Sequence, residues 1–249
     1  FIAPFTGAQA LREPFNRIAF HVRASYFDET AEIVKQVTSI GAKRIAVFHQ
    51  NDSYGKAGLD RVLRALKPLN LEPAALGTVE RNTVDVAAAV KSILAGKPDA
   101  IVQISAYKSC AAFIREARKA GYGGTFYNVS FVGTKALADE LGADARGVVV
   151  SQVMPYPYSP ASPLSGDYLA AGKAADGDKF EPNYSSIEGF VAAKTFSEAL
   201  KRMSGVPSPE TLIAGLESLR ELNLGGFFVD FSATKHMGSR FVDLTILTS

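Results

Sequence analysis

Hydroxyl and aromatic side chains stand at the ends of three apolar segments, and their types suit the binding of a small organic molecule. Tyr54 follows the apolar run Ile45–Phe48, and Tyr107 and Ser130 lie at the ends of two similar runs further along the chain. Rings provide stacking surface and shape, and hydroxyls orient a ligand. Because ligands of parallel α/β sheets sit at the carboxyl ends of the strands, we expect these side chains to line one pocket.

The sequence lacks the residue patterns of the common catalytic sites. It contains no G-x-S-x-G, G-x-x-x-x-G-K-[ST] or G-x-G-x-x-G motif. His21, His49 and His236 fall on separate predicted elements without the spacing of metal ligands. His49 and Asp52 are typical of a polar pair in a loop. Cys110 is typical of a small buried residue in the first turn of a helix. We therefore predict no catalytic residue, no metal and no cofactor.

The turn at Pro4–Ala8 precedes a predicted short helix, Gln9–Arg12. Thr6 or Gly7 would cap that helix, and the backbone N–H groups at its start would hold an anion such as a carboxylate. An ordinary capped turn is the alternative interpretation. Asp28-Glu29, in the first turn of a longer predicted helix, is explained by the helix dipole alone.

Composition and charge narrow the class of protein. The chain has 249 residues, 21% charged and 47% hydrophobic, with a formal net charge of +2, which is ordinary for one or two globular domains. No Lys/Arg run stands out, so nucleic acid is not a favoured partner. Cys110 is the only cysteine, which excludes an internal disulfide.

Strand and helix patterns alternate through the first part of the chain, about every 25–30 residues, as in βαβ units of a parallel sheet. The predicted strands are Ile18–Val22, Ile45–Phe48, Glu72–Val79, Asp99–Ser105, Thr125–Phe131 and Gly147–Met154. The predicted helices between them are Tyr26–Ile40, a helix from Leu59 to near Pro68, Val84–Leu94, Lys108–Ala120 and Lys135–Leu141.

The pattern changes after Pro155, where a proline-rich segment leads into three helical patterns with no strong strand between them. These are Leu164–Ala175, Ser186–Met203 and Pro209–Leu219. Their apolar faces require a sheet to cover, and the nearby residues supply none. Gly225–Leu247 contains two alternating runs and is predicted to form an antiparallel hairpin added to one sheet.

With these segments in place, the chain resembles the type I periplasmic solute-binding proteins of ABC importers, the branched-chain amino acid-binding or extracellular ligand-binding receptor family. The resemblance covers essentially the whole chain and depends on the order and spacing of several motifs. The matching residues are Pro4-Phe5-Thr6-Gly7-Ala8 with Leu11-Arg12, Val22-Arg23-Ala24-Ser25-Tyr26, Asp52-Ser53-Tyr54-Gly55, Glu80-Arg81-Asn82-Thr83, Ser130-Phe131-Val132-Gly133 and Gly225-Gly226.

The resemblance implies an α/β clamshell of two doubly wound, parallel-sheet lobes joined by hinge crossovers. Lobe one would be incomplete, lacking about 100 N-terminal residues, and a signal peptide is expected upstream of the numbered chain. Residues 1–20 would end lobe one and 21–150 would form lobe two. Helices at 157–222 would return to lobe one, and the hairpin at 223–249 to lobe two.

The resemblance also implies a ligand site. Phe5, Thr6 and Gly7 would bind the ligand's carboxylate from lobe one, with Tyr184 as a further lining residue, and Tyr54 and Tyr107 would close on it from lobe two. Family members that bind amino acids use an acidic residue at the position of Ser130 to pair with the ammonium group. Because an unpaired ammonium in a closed cleft is costly, a carboxylate without an amine would fit better here.

The function implied is that of a non-enzymatic, periplasmic component that binds a small amino acid-like or organic acid between two lobes and delivers it to a membrane ABC permease. Two alternatives remain from the sequence. One is a ligand-sensing domain on the same fold, and the other is a flavodoxin-like α/β enzyme, for which we find no catalytic set.

Overall fold

A computed structural model describes residues 1–248. Within them the α-helices, in chain order, are α1 (Tyr26–Ser39), α2 (Ser53–Leu66), α3 (Ala87–Ala95), α4 (Tyr107–Lys119), α5 (Thr134–Leu141), α6 (Pro163–Asp176), α7 (Tyr184–Lys201) and α8 (Pro209–Glu217). The strands are β1 (Ile45–Gln50), β2 (Leu76–Val79), β3 (Ala100–Ile104), β4 (Thr125–Asn128), β5 (Val149–Gln152), β6 (Leu222–Asn223), β7 (Phe228–Val229) and β8 (Asp243–Ile246).

The chain divides into two compact units. Unit 1 contains Phe1–Ser25 and Val153–Phe241, and unit 2 contains Tyr26–Gln152 and the segment from Val242 onward. The chain therefore passes from one unit to the other at three points. The sequence-based ranges had put residues 21–25 and the whole of 223–249 with lobe two, whereas unit 1 holds residues 21–25 and 223–241.

Unit 2 is built on a six-stranded sheet in the order β2-β1-β3-β4-β5-β8. Its first five strands are parallel, and β8 pairs antiparallel with β5 at the edge. The alternation of strand and helix predicted this parallel sheet, because parallel neighbours need a crossover helix between them. The α/β fold class is thus confirmed.

Helices cover both faces of this sheet, because successive side chains of a strand point to opposite sides. On β1, Ile45 and Val47 pack into one core layer with side chains of α1 and α2. Ala46 and Phe48 pack into the other, with side chains of α3, α4 and α5. All six residues of β1 are buried, which explains why its sequence is continuously apolar at the start rather than alternating.

Unit 1 consists mainly of helices α6, α7 and α8. Within the described residues, the β-structure of unit 1 consists of the two-stranded antiparallel β6–β7 sheet and of isolated β-bridges. Examples of these bridges are Ile2 to Phe20 and His21 to Met237. The predicted strand Ile18–Val22 is therefore reduced to single bridged residues. In the described residues the three helices lack a large sheet in their own unit, as the sequence had indicated.

The predicted C-terminal hairpin is wrong. Phe228–Val229 pairs with Leu222–Asn223 inside unit 1, whereas Asp243–Ile246 pairs with Val149–Gln152 inside unit 2. Alternation identifies a segment that pairs, but it does not identify the partner. Smaller differences occur at element ends. Helix α3 begins at Ala87 and not at the predicted Val84, and β4 ends at Asn128 and not at the predicted Phe131.

No helix among residues 1–248 is both long and apolar enough to span a membrane.

Candidate functional site

Tyr54 lies in the first turn of α2, directly after the carboxyl end of β1. Asp52 caps this helix by accepting a hydrogen bond from the Gly55 backbone N–H at 3.0 Å, and its carboxylate also accepts one from Gln50 at 2.5 Å. Burial raises the pKa of Asp52, but these hydrogen bonds outweigh it and leave the pKa below its usual value. Tyr54 is therefore held at the strand end by a local, charge-assisted cap.

Gly55 allows the first turn of α2 to approach the end of β1 closely. A Cβ atom at this position would lie 1.9 Å from the Gln50 carbonyl oxygen. Any larger residue would push the helix start, and Tyr54 with it, away from the strand.

The rings of Tyr26, Tyr54 and Phe131 form an aromatic cluster in unit 2. The ring of Tyr54 lies 4.9 Å from that of Phe131 and 5.5 Å from that of Tyr26, and the Tyr26 and Phe131 rings are 6.4 Å apart. Phe131 follows β4 and Tyr26 begins α1, so the cluster joins three elements. Such edge and tilted arrangements are favourable pairings of aromatic rings.

Ser130 sits next to this cluster and is bound by a buried carboxylate, that of Glu29 in the first turn of α1. Glu29 Oε2 accepts a hydrogen bond from the Ser130 backbone N–H at 2.8 Å, and Oε1 accepts one from the Ser130 hydroxyl at 3.0 Å. The hydroxyl of Ser151 donates to Glu29 Oε2 at 2.6 Å. Glu29 is 0% exposed, so the helix dipole does not by itself explain this residue, and that interpretation is corrected.

Tyr107 is the first residue of α4, after the carboxyl end of β3. Its ring packs partly against the core layer of α3, α4 and α5, and the Lys108 ammonium lies 5.9 Å from the ring centroid. Tyr54 packs against the opposite layer, with α1 and α2. The two tyrosines thus begin helices that follow neighbouring strands, one on each face of the sheet.

Phe5, Thr6 and Gly7 form a turn in unit 1 that two arginines hold. Buried Arg12 donates hydrogen bonds to the backbone oxygens of Thr6 at 3.3 Å and Arg23 at 3.2 Å. The Arg23 guanidinium lies 5.1 Å from the centroid of the Phe5 ring. The predicted short helix is only a three-residue 3-10 turn, Gln9–Leu11, and Thr6 Oγ1 accepts from the Ala8 N–H instead of capping it.

Tyr184 is the first residue of α7 and is linked to the Phe5 turn through that same helix. One turn further along α7, Glu188 forms a buried ion pair with Arg23 at 3.4 Å. The ring of Tyr184 lies 5.9 Å from that of Tyr158. Unit 1 therefore connects Tyr184, the Glu188–Arg23 pair and Phe5 within one network.

The residues that the sequence offered for catalysis, His49, Asp52 and Cys110, have structural roles. His49 Nδ1 bonds the Gln50 carbonyl oxygen at 3.0 Å, and Asp52 caps α2, so the two do not form a base with its orienting acid. Cys110 is fully buried, and burial raises the pKa of its thiol. No cluster of three or more potential metal-binding side chains occurs in the part of the chain that the structure describes.

Sequence reasoning missed two residues of this arrangement, Tyr26 and Glu29. Tyr26 was noted only as part of a motif, and Glu29 was assigned to the helix dipole. The contact of Glu29 with Ser130 joins residues 101 positions apart. No local pattern signals such a pair, because it depends on how α1 packs beside β4 and β5.

Comparisons with known proteins agree on one family. A family model described as periplasmic binding protein matches residues 2–245. A comparison with curated protein sequences finds no significant match.

Solved structures show the same fold over nearly the whole chain. One described as a possible leucine/isoleucine/valine-binding protein from Rhodopirellula baltica SH 1 is 31% identical, with a TM-score of 0.93 over 99% of this chain and 68% of that one. A substrate-binding periplasmic protein from Ralstonia solanacearum is 30% identical, with a TM-score of 0.89 over 98% and 69%. A branched-chain amino acid ABC transporter structure from Thermus thermophilus, with bound valine, shares the fold at 16% identity, with a TM-score of 0.84 over 99% and 69%.

Proposed function

Because the chain belongs to the periplasmic binding protein family, we propose that it captures a small carboxylate-containing solute between two lobes and delivers it to an ABC importer. Proteins of this family are solute-binding receptors and not enzymes, and this chain is one of them. The family is periplasmic, and we propose the same location for this protein.

The observation that carries the proposal is the aromatic cluster of Tyr26, Tyr54 and Phe131 at the strand ends of unit 2. Phe131 is 38% exposed and Tyr54 is half-buried, so the cluster retains an accessible apolar surface. Apolar and aromatic surface with a few fixed polar groups is the usual composition of a small-molecule site. In the proposal this cluster, with Tyr107 and Ser130, contacts the body of the ligand.

The Phe5-Thr6-Gly7 turn binds the ligand's carboxylate in this proposal. Arg12 supports it, because this cationic side chain bonds the backbone of the turn and would favour a negative charge there. The charge of Arg23 is balanced by Glu188. Tyr184 completes the set on the same unit, positioned by the helix that also carries Glu188. Binding by both lobes would be coupled to closure about the hinge segments.

The ligand class follows from the most informative relatives. The Rhodopirellula baltica protein is described as a possible binder of leucine, isoleucine or valine. An amino acid-like acid with a branched or aromatic side chain therefore defines the first probes for this chain. The aromatic cluster of unit 2 supports an apolar side chain on the ligand.

A thermal-shift screen of the complete protein tests the proposal. The probes are amino acids, aromatic acids and the corresponding hydroxy and keto acids. A ligand at about 100 times its Kd stabilises the folded state by about 2.7 kcal/mol, which raises Tm measurably. Absence of a shift with every member of the panel would contradict the proposed ligand class.

The variant Tyr54→Ala assigns the site. We expect it to weaken the affinity by about ten-fold or more, because a central aromatic contact is lost. Tyr122→Ala is the matched control, since Tyr122 packs on Phe126 and precedes β4, at the amino ends of the parallel strands. The control should lower Tm without changing affinity. Equal affinity losses in both variants would remove Tyr54 from the site.

Delivery to an importer has its own test in the producing cell. Deletion of the gene should abolish high-affinity uptake of the radiolabelled ligand that the screen identifies, and re-expression should restore it. Unchanged uptake would favour a sensing role on the same fold.

A further inference from the structure

Ser130 occupies the position where an acidic residue was expected, but an acid lies directly behind it. Glu29, 101 residues earlier, binds both the backbone N–H and the hydroxyl of Ser130, at 2.8 and 3.0 Å. The carboxylate is 0% exposed and Ser130 is half-buried. The buried carboxylate of Glu29 therefore fixes the orientation of the Ser130 hydroxyl.

This contact determines which hydrogen-bonding role the Ser130 hydroxyl takes. A serine hydroxyl has one proton to donate and two lone pairs that accept. Both oxygens of Glu29 accept hydrogen bonds, and Oε1 accepts the one from the Ser130 hydroxyl, so the proton of Ser130 is directed to Glu29 Oε1. Any hydrogen bond that a ligand makes with Ser130 Oγ must then be donated by the ligand.

We propose that Glu29 is a specificity-determining positioning residue, which makes Ser130 Oγ an acceptor and so selects ligands that present an N–H or O–H donor at that point. This inference rests on the proposed function, because it requires Ser130 to line the ligand site. The substrate class becomes 2-amino and 2-hydroxy acids, and the isosteric 2-keto acids are disfavoured.

The proposal revises the expectation that a carboxylate without an amine fits better. That expectation considered only the side chain at position 130, where a serine replaces an acid. With Glu29 hydrogen-bonded to it, Ser130 offers an acceptor to the ligand's amino group. A keto oxygen at the same point would face Ser130 Oγ, so two acceptors would meet without a hydrogen-bond donor between them.

Matched ligand trios measure this selectivity in the complete protein. Isothermal titration calorimetry would compare L-leucine, 2-hydroxy-4-methylpentanoate and 4-methyl-2-oxopentanoate, and likewise phenylalanine, phenyllactate and phenylpyruvate. We expect the amino or hydroxy acid of a trio to bind about ten-fold tighter than the keto acid, because a keto oxygen leaves the acceptor unpaired. A keto acid that binds as tightly as both partners overturns the inference and leaves the proposed function intact. No binding by any of the six overturns both.

The variant Glu29→Gln reverses the direction of the hydrogen bond between residue 29 and Ser130 Oγ. With its oxygen in the position of Oε2, the glutamine still accepts from the Ser130 N–H and the Ser151 hydroxyl, and its NH₂ group faces Ser130 Oγ. The serine proton then turns toward the ligand, so the ten-fold preference should fall to about one or invert in favour of the keto acid. An unchanged preference in folded Glu29→Gln overturns the inference.

Two further variants separate specificity from stability. Ser130→Ala removes the acceptor and should abolish the preference even if Glu29→Gln does not fold. Ser109→Ala is the control, because Ser109 is a buried serine of the same unit that donates to the Thr83 carbonyl oxygen at 2.7 Å. It should lower Tm and retain the full preference. Retention of the preference in Ser130→Ala contradicts the inference.

Discussion

His21 is a buried histidine in unit 1 that remains neutral in the folded state. Burial is the main cause that lowers its pKa to about 4, and the nearby Arg12 guanidinium and His236 lower the pKa further. A hydrogen bond with the Leu11 carbonyl oxygen raises the pKa but does not offset these effects. His236 stacks on Phe20, and its Nε2 lies 3.2 Å from Glu217 Oε1. Protonation of His21 would place a second cation beside Arg12.

The pH dependence of stability follows from that shift. Between about pH 6.5 and pH 4 the unfolded chain takes up a proton at His21 and the folded protein does not, so the free energy of unfolding falls as the pH falls. At about 1.4 kcal/mol per pKa unit, the loss reaches about 3 kcal/mol at pH 4. Denaturant unfolding at several pH values should show it.

His21→Gln is the control for this prediction, because it keeps a donor for Leu11 but does not titrate. Its stability should decline less than that of the wild type between pH 7 and pH 4.5. Parallel profiles of the two proteins would mean that His21 is not responsible.

Helix α2 is the element that carries Tyr54, and two local features define its start. Asp52 caps the helix and Gly55 lets it approach β1. Both act within four residues of Tyr54. A change at the cap should therefore alter the site as well as the stability.

Asp52→Ala tests this link between cap and site. We expect a loss of about 1 kcal/mol in the free energy of unfolding, together with weaker binding of the ligand found in the screen. Ser208→Ala is the matched variant, because Ser208 caps α8 in unit 1 with a similar bond to Thr211 N at 3.2 Å. It should cost about the same stability and leave the affinity unchanged. Equal affinities for both variants would show that the cap does not position Tyr54.

The Asp52 cap has a pH dependence in the same direction as His21 but at lower pH, because the fold favours the deprotonated form of both groups. The pKa of Asp52 lies below its usual value, so its contribution is complete above the unfolded pKa near 4 and is lost as the pH falls through the lower folded pKa. Asp52→Asn retains a capping side chain without the charge. Below about pH 4 the wild type and this variant should converge in stability.

At the scale of the whole molecule, the two units are joined by three chain crossings, and each has its own core. Cys110 lies within unit 2, at 0% exposure among Phe48, Phe113 and Ile114. It is a natural probe for the opening of that unit, because a thiol reagent reaches it only when the core is exposed.

Cys110 should react slowly with Ellman's reagent in the folded protein, because burial both covers the thiol and raises its pKa. In denaturant one thiol per chain should react at once. Ile114→Ala, which opens the core around Cys110, should accelerate labelling of the native protein several-fold. In the double variant Cys110→Ala with Ser204→Cys, the exposed thiol should react immediately. Fast labelling of native Cys110 would contradict its burial.

Local patterns predicted most helices and the parallel strands of unit 2. Continuous apolar runs identified β1 and β3, and helical periodicity identified α1, α2 and α4, because burial of one face requires those spacings. The predicted helix Pro209–Leu219 begins at the same residue as α8, where Ser208 forms a capping box. These features depend on residues within one or two turns of each other.

The sequence by itself determined the fold class, the order of the strands and helices from α1 to β5, and the position of Tyr54 after a buried strand. Only the tertiary structure decided that Asp243–Ile246 pairs with Val149–Gln152 and that Glu29 lies under Ser130. The physical reason is that these contacts join segments about 90 to 100 residues apart. They are selected by the packing of complete elements, and neither the alternation of a strand nor the dipole of a helix specifies its distant partner.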